Sequence, residues 1–177
     1  MSELATLGGG CYWCLEAFYQ RIKGVEKVVS GYSGGHTDNP TSSEVYTMTT
    51  GHAEVVQISF DSKVISYKEL LEIFFVMHDP TTLNRQGPDV GEIYRSVIFY
   101  HDDTQKKVAE DMISNFAPSL YKDPVVTQLK SYEKFWPADE DMQDFYNNNP
   151  NQGYCQVVID PKIQKLRQKF AAKLKSI

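Results

Sequence analysis

The 177-residue sequence has little of several features that would place it in a specialised class of protein. It contains only three cysteines, an odd number and too few for a disulfide scaffold. Its longest apolar run, residues 70–77, is too short for a membrane span and is interrupted by Glu72. No internal repeat or low-complexity tract divides the chain. The net charge of -5 argues against nucleic acid as a main partner.

The first residues also lack the basic and apolar stretches of a secretion signal. Together with the few cysteines, this predicts a cytoplasmic protein whose thiols are reduced at rest or cycle during a reaction. We expect no membrane partner. The chain is long enough for one sizeable core, so residues 1–177 are assigned to a single domain.

The pattern of apolar residues predicts short strands interspersed with helices. The strands are expected at residues 4–7, 25–32, 52–61, 96–100 and 125–129. The helices are expected after Cys11, after Ser66, from Asp103 or Thr104 to Pro118, at residues 139–147 and from Pro161. Because strands and helices follow no steady βαβ rhythm, we expect an α+β fold. A mixed, mostly antiparallel sheet would carry packed helices as a two-layer sandwich.

The most informative stretch is Gly8–Cys14, which lies between a predicted strand and a predicted helix. Glycines let the backbone approach a ligand closely, and a helix N-terminus can lower the pKa of a cysteine to roughly 3.5–7.5. This placement predicts that Cys11 is a nucleophile. The alternative is that Cys11 and Cys14 are two buried thiols on one helical face, and the residues alone leave it open.

The spacing of Cys11 and Cys14 also fits a dithiol of the thioredoxin type, because residues three apart in a first helical turn can reach each other. A zinc site would need a second pair of ligands. Cys155 and the histidines stand at no zinc-finger spacing, so we assign no metal site.

Glu54 lies in a segment of alternating polarity and falls on the same face as Val56, Ile58 and Phe60. A carboxyl on a core-facing position is desolvated, which raises its pKa and favours the protonated form. The sequence therefore predicts a neutral acid at Glu54. Pairing of this carboxylate with a nearby cation is the alternative.

Several blocks of the sequence, in the same order, resemble the peptide methionine sulfoxide reductase A family. The resemblance implies reduction of methionine S-sulfoxide, free or in oxidised proteins, with thioredoxin or another dithiol as external reductant and no bound cofactor. The blocks cover most of the chain and are Gly10–Trp13, Gly31–Gly35, Asn39–Thr41, Gly51–Glu54, His78–Pro80, Arg85–Gly91, Tyr94–Ser96, Asn149-Pro150 and Gly153–Cys155.

The resemblance also implies a role for each matched residue. The nucleophile would be oxidised to a sulfenic acid, and a second cysteine would resolve it as a disulfide. The matched positions are the nucleophile Cys11, the acid Glu54, the polar groups Asp89 and Tyr94 of the oxygen site, the aromatic residues Tyr12 and Trp13 around the S-methyl group, and the resolving Cys155.

Some positions depart from the family pattern. Tyr12 stands where Phe is usual, and Cys14 stands where Gly is common, so Cys14 is an alternative resolving thiol. Ser42 stands where many members have Tyr, and it is too short to reach the oxygen site. One hydrogen bond is therefore expected to be missing there, or supplied by water or another side chain. No cysteine follows Cys155, so we expect thioredoxin to reduce the first disulfide directly.

Overall fold

The computed structural model describes residues 2–175. In chain order the strands and α-helices are β1 Ser2–Gly8, α1 Tyr12–Tyr19, β2 Val25–Ser33, α2 Ser42–Tyr46, β3 Ala53–Asp61, α3 Tyr67–Met77, β4 Arg85–Gln86, β5 Asp89–Val90, β6 Val97–Tyr100, α4 Asp103–Asp111, α5 Ala117–Leu120, β7 Gln128–Ser131, β8 Phe135–Pro137, α6 Phe145–Asn148 and α7 Asp160–Lys169. Short 3-10 turns occur at Glu92–Tyr94, Glu140–Met142 and Ala171–Lys173, and π-helical turns at Met112–Phe116 and Cys155–Ile159.

Six strands form one sheet in the order β7-β6-β1-β3-β2-β8. All neighbouring pairs are antiparallel except β6 and β7. Strands β4 and β5 form a separate hairpin. The mixed, mostly antiparallel sheet confirms the predicted α+β fold class.

The main core lies between the sheet and helices α1, α3 and α7. Its fully buried side chains include Ile58 from β3, Phe18 from α1, Phe74 from α3 and Leu166 from α7. Burying a side chain of this size contributes about 1.5–3 kcal/mol. The opposite face of the sheet carries a smaller apolar cluster that includes Val55 and packs against Tyr132 and Phe135.

Helix α3 begins as its sequence predicts. The Ser66 side chain accepts a hydrogen bond from the Glu69 amide at 3.1 Å, and the Glu69 carboxylate accepts one from the Ser66 amide at 3.2 Å. This capping box satisfies two amides that the helix itself leaves unpaired.

Four predicted boundaries are corrected by the structure. Asp102, one residue before the predicted caps, accepts a hydrogen bond from the Gln105 amide at 2.8 Å and so caps α4. Pro118 does not end the helical segment but lies in the first turn of α5, where its missing N–H is not needed. The helix expected at residues 139–147 is divided, because Asp144 adopts a left-handed backbone conformation with φ of 53°. In addition, strand β7 begins at Gln128, later than predicted.

Within residues 2–175, no helix combines the length and the apolar composition needed to cross a membrane.

Candidate active site

The glycine turn after β1 packs tightly against the segment that carries β4 and β5. Gly10 has a φ of 95°, and a Cβ atom there would lie 2.6 Å from the Gln86 Cγ atom. A Cβ atom on Gly9 would lie 2.9 Å from the His78 ring. The Gly10 amide donates a hydrogen bond to the Tyr94 carbonyl at 3.2 Å. These contacts explain why the turn needs glycine, and they hold the Tyr94 segment against Cys11.

Cys11 occupies the N-cap position of α1 and is only 8% exposed. Burial raises the pKa of the Cys11 thiol well above its usual value, and a hydrogen bond to Cys14 and the charge of Glu54 act in the same direction. The Trp13 amide at the helix start lowers this pKa, but its effect is smaller. The expected lowering of the Cys11 pKa is therefore wrong for the free protein, because desolvation outweighs the helix end.

Glu54 is 1% exposed and accepts a hydrogen bond from the Tyr12 amide on Oε1 at 3.0 Å. Burial raises the pKa of this carboxyl to about 8, and the charge of Asp89 adds to the increase, whereas the Tyr12 amide lowers it. The predicted burial of the Glu54 carboxyl is confirmed, and its raised pKa favours the protonated form. Because Oε1 is the acceptor in this hydrogen bond, Oε2 is the oxygen that can carry the proton.

Tyr94 and Asp89 lie in the same site as Cys11 and Glu54. Burial and the charge of Glu54 raise the pKa of Tyr94, so its phenol remains a neutral hydrogen-bond donor. Asp89 accepts a hydrogen bond from the Tyr154 hydroxyl on Oδ2 at 2.6 Å. Asp89 lies in the β4–β5 hairpin and Tyr94 in the turn at Glu92–Tyr94. The two residues come together because both segments fold against the glycine turn.

Tyr12 and Trp13 face different surroundings. Tyr12 is fully buried, and its hydroxyl lies 2.9 Å from that of Tyr32, which in turn lies 2.9 Å from the Ser42 hydroxyl. The Trp13 ring stacks on Phe145 with a centroid separation of 3.6 Å. The hydroxyl that Tyr12 adds to the family pattern therefore joins a chain of three hydroxyls, and one face of Trp13 is covered.

Cys14 and Cys155 both lie next to Tyr154, the first through a side-chain contact and the second as the following residue of the chain. The Cys14 sulfur is 3.7 Å from the Tyr154 hydroxyl, and Cys155 is fully buried in the π-helical turn that follows it. The hydrogen bond from Cys11 lowers the pKa of Cys14 to about 7. Burial raises the pKa of Cys155, and the charge of Cys14 adds to this. All three cysteines are free thiols in this structure.

Two residues of the site were not assigned by sequence reasoning. Tyr154 belongs to the matched block Gly153–Cys155, but the resemblance gives it no role. In the structure its hydroxyl contacts both Asp89 and Cys14. Tyr46 lies at the end of α2, a five-residue helix that the sequence analysis does not predict. The signal for α2 was present, because Thr41 and Glu44 form a capping box.

The described part of the chain holds no group of three or more His, Cys, Asp or Glu side chains arranged to hold a metal ion.

The fold and the site define a thiol-based enzyme, with a buried cysteine at a helix start beside a neutral carboxylic acid. A family model described as peptide methionine sulfoxide reductase matches residues 3–174, and the chain belongs to that family. It is an enzyme that reduces methionine sulfoxide.

Individual relatives agree with this assignment. The chain is 57% identical over 173 residues to peptide methionine sulfoxide reductase MsrA of Saccharolobus solfataricus, covering 98% of this chain and 97% of the relative. Among solved structures it is similar to reduced Mxr1 from Saccharomyces cerevisiae, with a TM-score of 0.78, 34% identity, and coverage of 87% of this chain and 89% of Mxr1. Mxr1 has also been solved in complex with Trx2, with a TM-score of 0.55, 27% identity, and coverage of 81% and 84%.

Proposed function

We propose that residues 1–177 form one cytoplasmic reductase domain specific for methionine S-sulfoxide, free or within oxidised proteins. The observation that carries the proposal is the placement of Glu54 beside Cys11. The Tyr12 amide of the same helix start fixes Oε1, and burial keeps the carboxyl protonated up to a pKa of about 8. A nucleophile and an acid side by side are what a sulfoxide requires, since its sulfur is electrophilic and its oxygen is basic.

The first step transfers oxygen from the substrate to Cys11. The Cys11 thiol is hydrogen-bonded to Cys14, whose pKa is about 7, so Cys14 can take its proton as Cys11 attacks the substrate sulfur. Glu54 gives a proton to the sulfoxide oxygen, and Tyr94 donates a hydrogen bond to it. The oxygen then moves to the Cys11 sulfur, as the substrate S–O bond and the bond between the two sulfurs made in the attack both break, and methionine leaves. Cys11 becomes a sulfenic acid, having lost the two electrons that the substrate sulfur gained.

The second step restores the enzyme. Cys155 attacks the Cys11 sulfenic acid, which releases water and forms a disulfide. A thioredoxin then reduces this disulfide through a mixed disulfide, as is suggested by the complex of the yeast relative with Trx2. No bound cofactor takes part in this scheme.

Selectivity for one sulfoxide epimer follows from three contacts. The S-methyl group lies against Trp13 beside the Tyr12 segment, the oxygen faces Glu54, and the sulfur faces Cys11. With these three contacts made, the remaining substituent on the substrate sulfur can point in only one direction, toward the outside of the site. The S epimer is the one implied by the family resemblance.

The test is a single turnover of the reduced protein with dabsyl-methionine S-sulfoxide and no added reductant, followed by mass spectrometry of the cysteine peptides. We expect one equivalent of product and a disulfide between Cys11 and Cys155. Dimedone trapping in a Cys155→Ser variant should label Cys11 as the sulfenic acid. Absence of product from a folded, reduced protein would contradict the proposal.

A dithiol–disulfide oxidoreductase that uses Cys11 and Cys14 is the second candidate. It is favoured by the position of both thiols in the first turn of α1 and by the pKa of Cys14, which the neighbouring Cys11 lowers to about 7. This candidate requires Cys14 as the disulfide partner of Cys11 and has no use for Cys155 or Glu54. If Cys155→Ser and Glu54→Gln each abolish turnover with thioredoxin, this alternative is excluded. A Cys11–Cys14 disulfide after single turnover would instead assign the resolving role to Cys14.

A further inference from the structure

We propose that Tyr46 is a catalytic residue, whose phenol donates a hydrogen bond to the sulfoxide oxygen alongside Tyr94. This inference rests on the proposed function and adds a residue to the same site. Tyr46 is the last residue of α2. It belongs to none of the sequence blocks through which the chain resembles the family.

Helix α2 is held against the site on both sides of Tyr46. At its start, the Ser42 hydroxyl lies 2.9 Å from that of Tyr32, which is bonded to Tyr12. Just after its end, the Met48 side chain packs so closely on Gly91 that a Cβ atom there would lie 2.3 Å from the Met48 Cε atom. The Ser42 contact leads through Tyr32 to α1, and the Met48 contact leads to the turn that ends in Tyr94. The helix therefore bridges the two sides of the oxygen site.

The Tyr46 side chain points toward the reacting groups. Its hydroxyl is close enough to the Glu54 carboxyl to lower the pKa of that group, and it also lies close to the Tyr12 hydroxyl. The Cys11 and Tyr94 side chains are near enough to interact with it electrostatically. Two phenols thus converge on one carboxyl and one thiol. Ser42 cannot supply this contact in addition, because its hydroxyl is within hydrogen-bond distance of Tyr32.

Accessibility distinguishes Tyr46 from the other hydroxyls around the site. Tyr12 and Tyr32 are at most 1% exposed and bonded to each other, whereas Tyr46 is 44% exposed. A ligand arriving from solvent can therefore reach Tyr46. Burial and the charge of Glu54 raise the pKa of Tyr46, so its hydroxyl keeps its proton and can donate at physiological pH.

A second hydrogen-bond donor would stabilise the sulfoxide oxygen during the reaction. As the substrate S–O bond weakens, negative charge gathers on the oxygen before the proton from Glu54 has fully transferred. A second fixed donor stabilises that charge and lowers the barrier without forming or breaking a bond of its own. The donor acts mainly in the transition state, so its loss should lower kcat more than it raises KM.

The experiment compares Tyr46→Phe with Tyr100→Phe in single-turnover reduction of methionine S-sulfoxide. Tyr100 is a half-buried phenol on β6 with no assigned part in the site, so it serves as the matched control. We expect Tyr46→Phe to slow the chemical step by about 10- to 100-fold with little change in KM, which is at or below the usual loss for one such donor. Tyr100→Phe should keep the wild-type rate.

A second measurement separates catalysis from a structural effect. Because Tyr46 lowers the pKa of Glu54, its removal should move the alkaline limb of the kcat profile to higher pH. Adding Ser42→Tyr to Tyr46→Phe places a phenol one helical turn earlier and should restore part of the rate. An unchanged rate in Tyr46→Phe, or an effect on KM alone, would overturn the inference. Inactivity of the wild-type protein would instead count against the proposed function.

Discussion

At the scale of single residues, the distribution of protons decides what the site can do. The raised pKa of Glu54 could be predicted from the alternation of β3, because a carboxyl on an apolar face loses its hydration wherever the strand packs. The pKa of Cys11 could not be predicted, because it depends on tertiary contacts. The Tyr12 amide of the helix start is bonded to Glu54, and the sulfur itself is buried beside Cys14.

The substitution Glu54→Gln should have opposite effects on activity and stability. Glutamine keeps an acceptor for the Tyr12 amide but cannot donate a proton to the sulfoxide, so we expect the single-turnover rate to fall by roughly 100-fold or more. The wild-type rate should itself fall as the pH rises through about 8, because Glu54 then loses its proton. Stopped-flow or quenched single turnovers across this range measure both effects.

The same substitution, Glu54→Gln, should increase the stability of the protein at high pH. The folded pKa of Glu54, about 8, lies above the unfolded value, so the carboxyl favours folding fully below the unfolded pKa of about 4.3 and loses this contribution as the pH rises through 8. At pH 9 we expect Glu54→Gln to raise the free energy of unfolding by about 2–4 kcal/mol. Urea titrations at pH 5 and pH 9 test this, with the exposed Glu140→Gln as control. Equal stability of Glu54→Gln and wild type at pH 9 would contradict a buried, neutral carboxyl.

At the scale of elements, local signals were enough for the long strands and for α3. The capping box at Ser66 and the alternation of β3 each depend only on residues that are close together in the sequence. The short elements were not predictable in this way. The break between Glu140–Met142 and α6 depends on Asp144 taking a left-handed conformation, which its packing partners hold in place. Helix α2 is the exception, because Thr41 and Glu44 signal its start, but the role of Tyr46 appears only once the end of that helix lies near Glu54.

The glycine turn gives a test at this scale. Gly10→Ala places a methyl group 2.6 Å from Gln86 and forces alanine to a φ of 95°, whereas Gly87→Ala also has a positive φ, 56°, but meets no atom within 4 Å. We expect Gly10→Ala to lower the free energy of unfolding by about 1–3 kcal/mol more than Gly87→Ala. Denaturant titration measures the difference. Because Cys11 follows directly, Gly10→Ala should also slow turnover, and equal effects of the two variants would contradict the packing described here.

At the scale of the whole molecule, the segment of residues 143–155 lies across α1 and closes the site. Gln143 bonds to the Ser30 backbone on β2, and Phe145 stacks on Trp13. At the other end, Tyr154 bonds to Asp89 and places Cys155 in the interior. The sequence could assign both cysteines through the family resemblance, but not this cover, which is formed by contacts between residues at least 65 positions apart.

In the proposed scheme, this cover must open before the disulfide between Cys11 and Cys155 can be reduced. Attack of an external thiolate on a disulfide requires access to one of its sulfurs, yet Cys11 is 8% exposed and Cys155 is fully buried. We therefore expect a disulfide between Cys11 and Cys155 to loosen residues 143–155, with loss of the Trp13–Phe145 stack and of the Tyr154–Asp89 hydrogen bond. Amide hydrogen exchange in this segment should be at least about tenfold faster in the oxidised protein than in the reduced one, as local opening predicts.

The matched control is Cys155→Ser treated with the same substrate, which cannot form the disulfide and should keep slow exchange. Strand β3 serves as an internal reference, because its hydrogen bonds to β1 and β2 do not involve the segment. If exchange in residues 143–155 is equally slow in the oxidised wild type, thioredoxin has no route to the disulfide by this opening. The reductant would then have to reach Cys11 from the side of Tyr46, where the structure is already exposed.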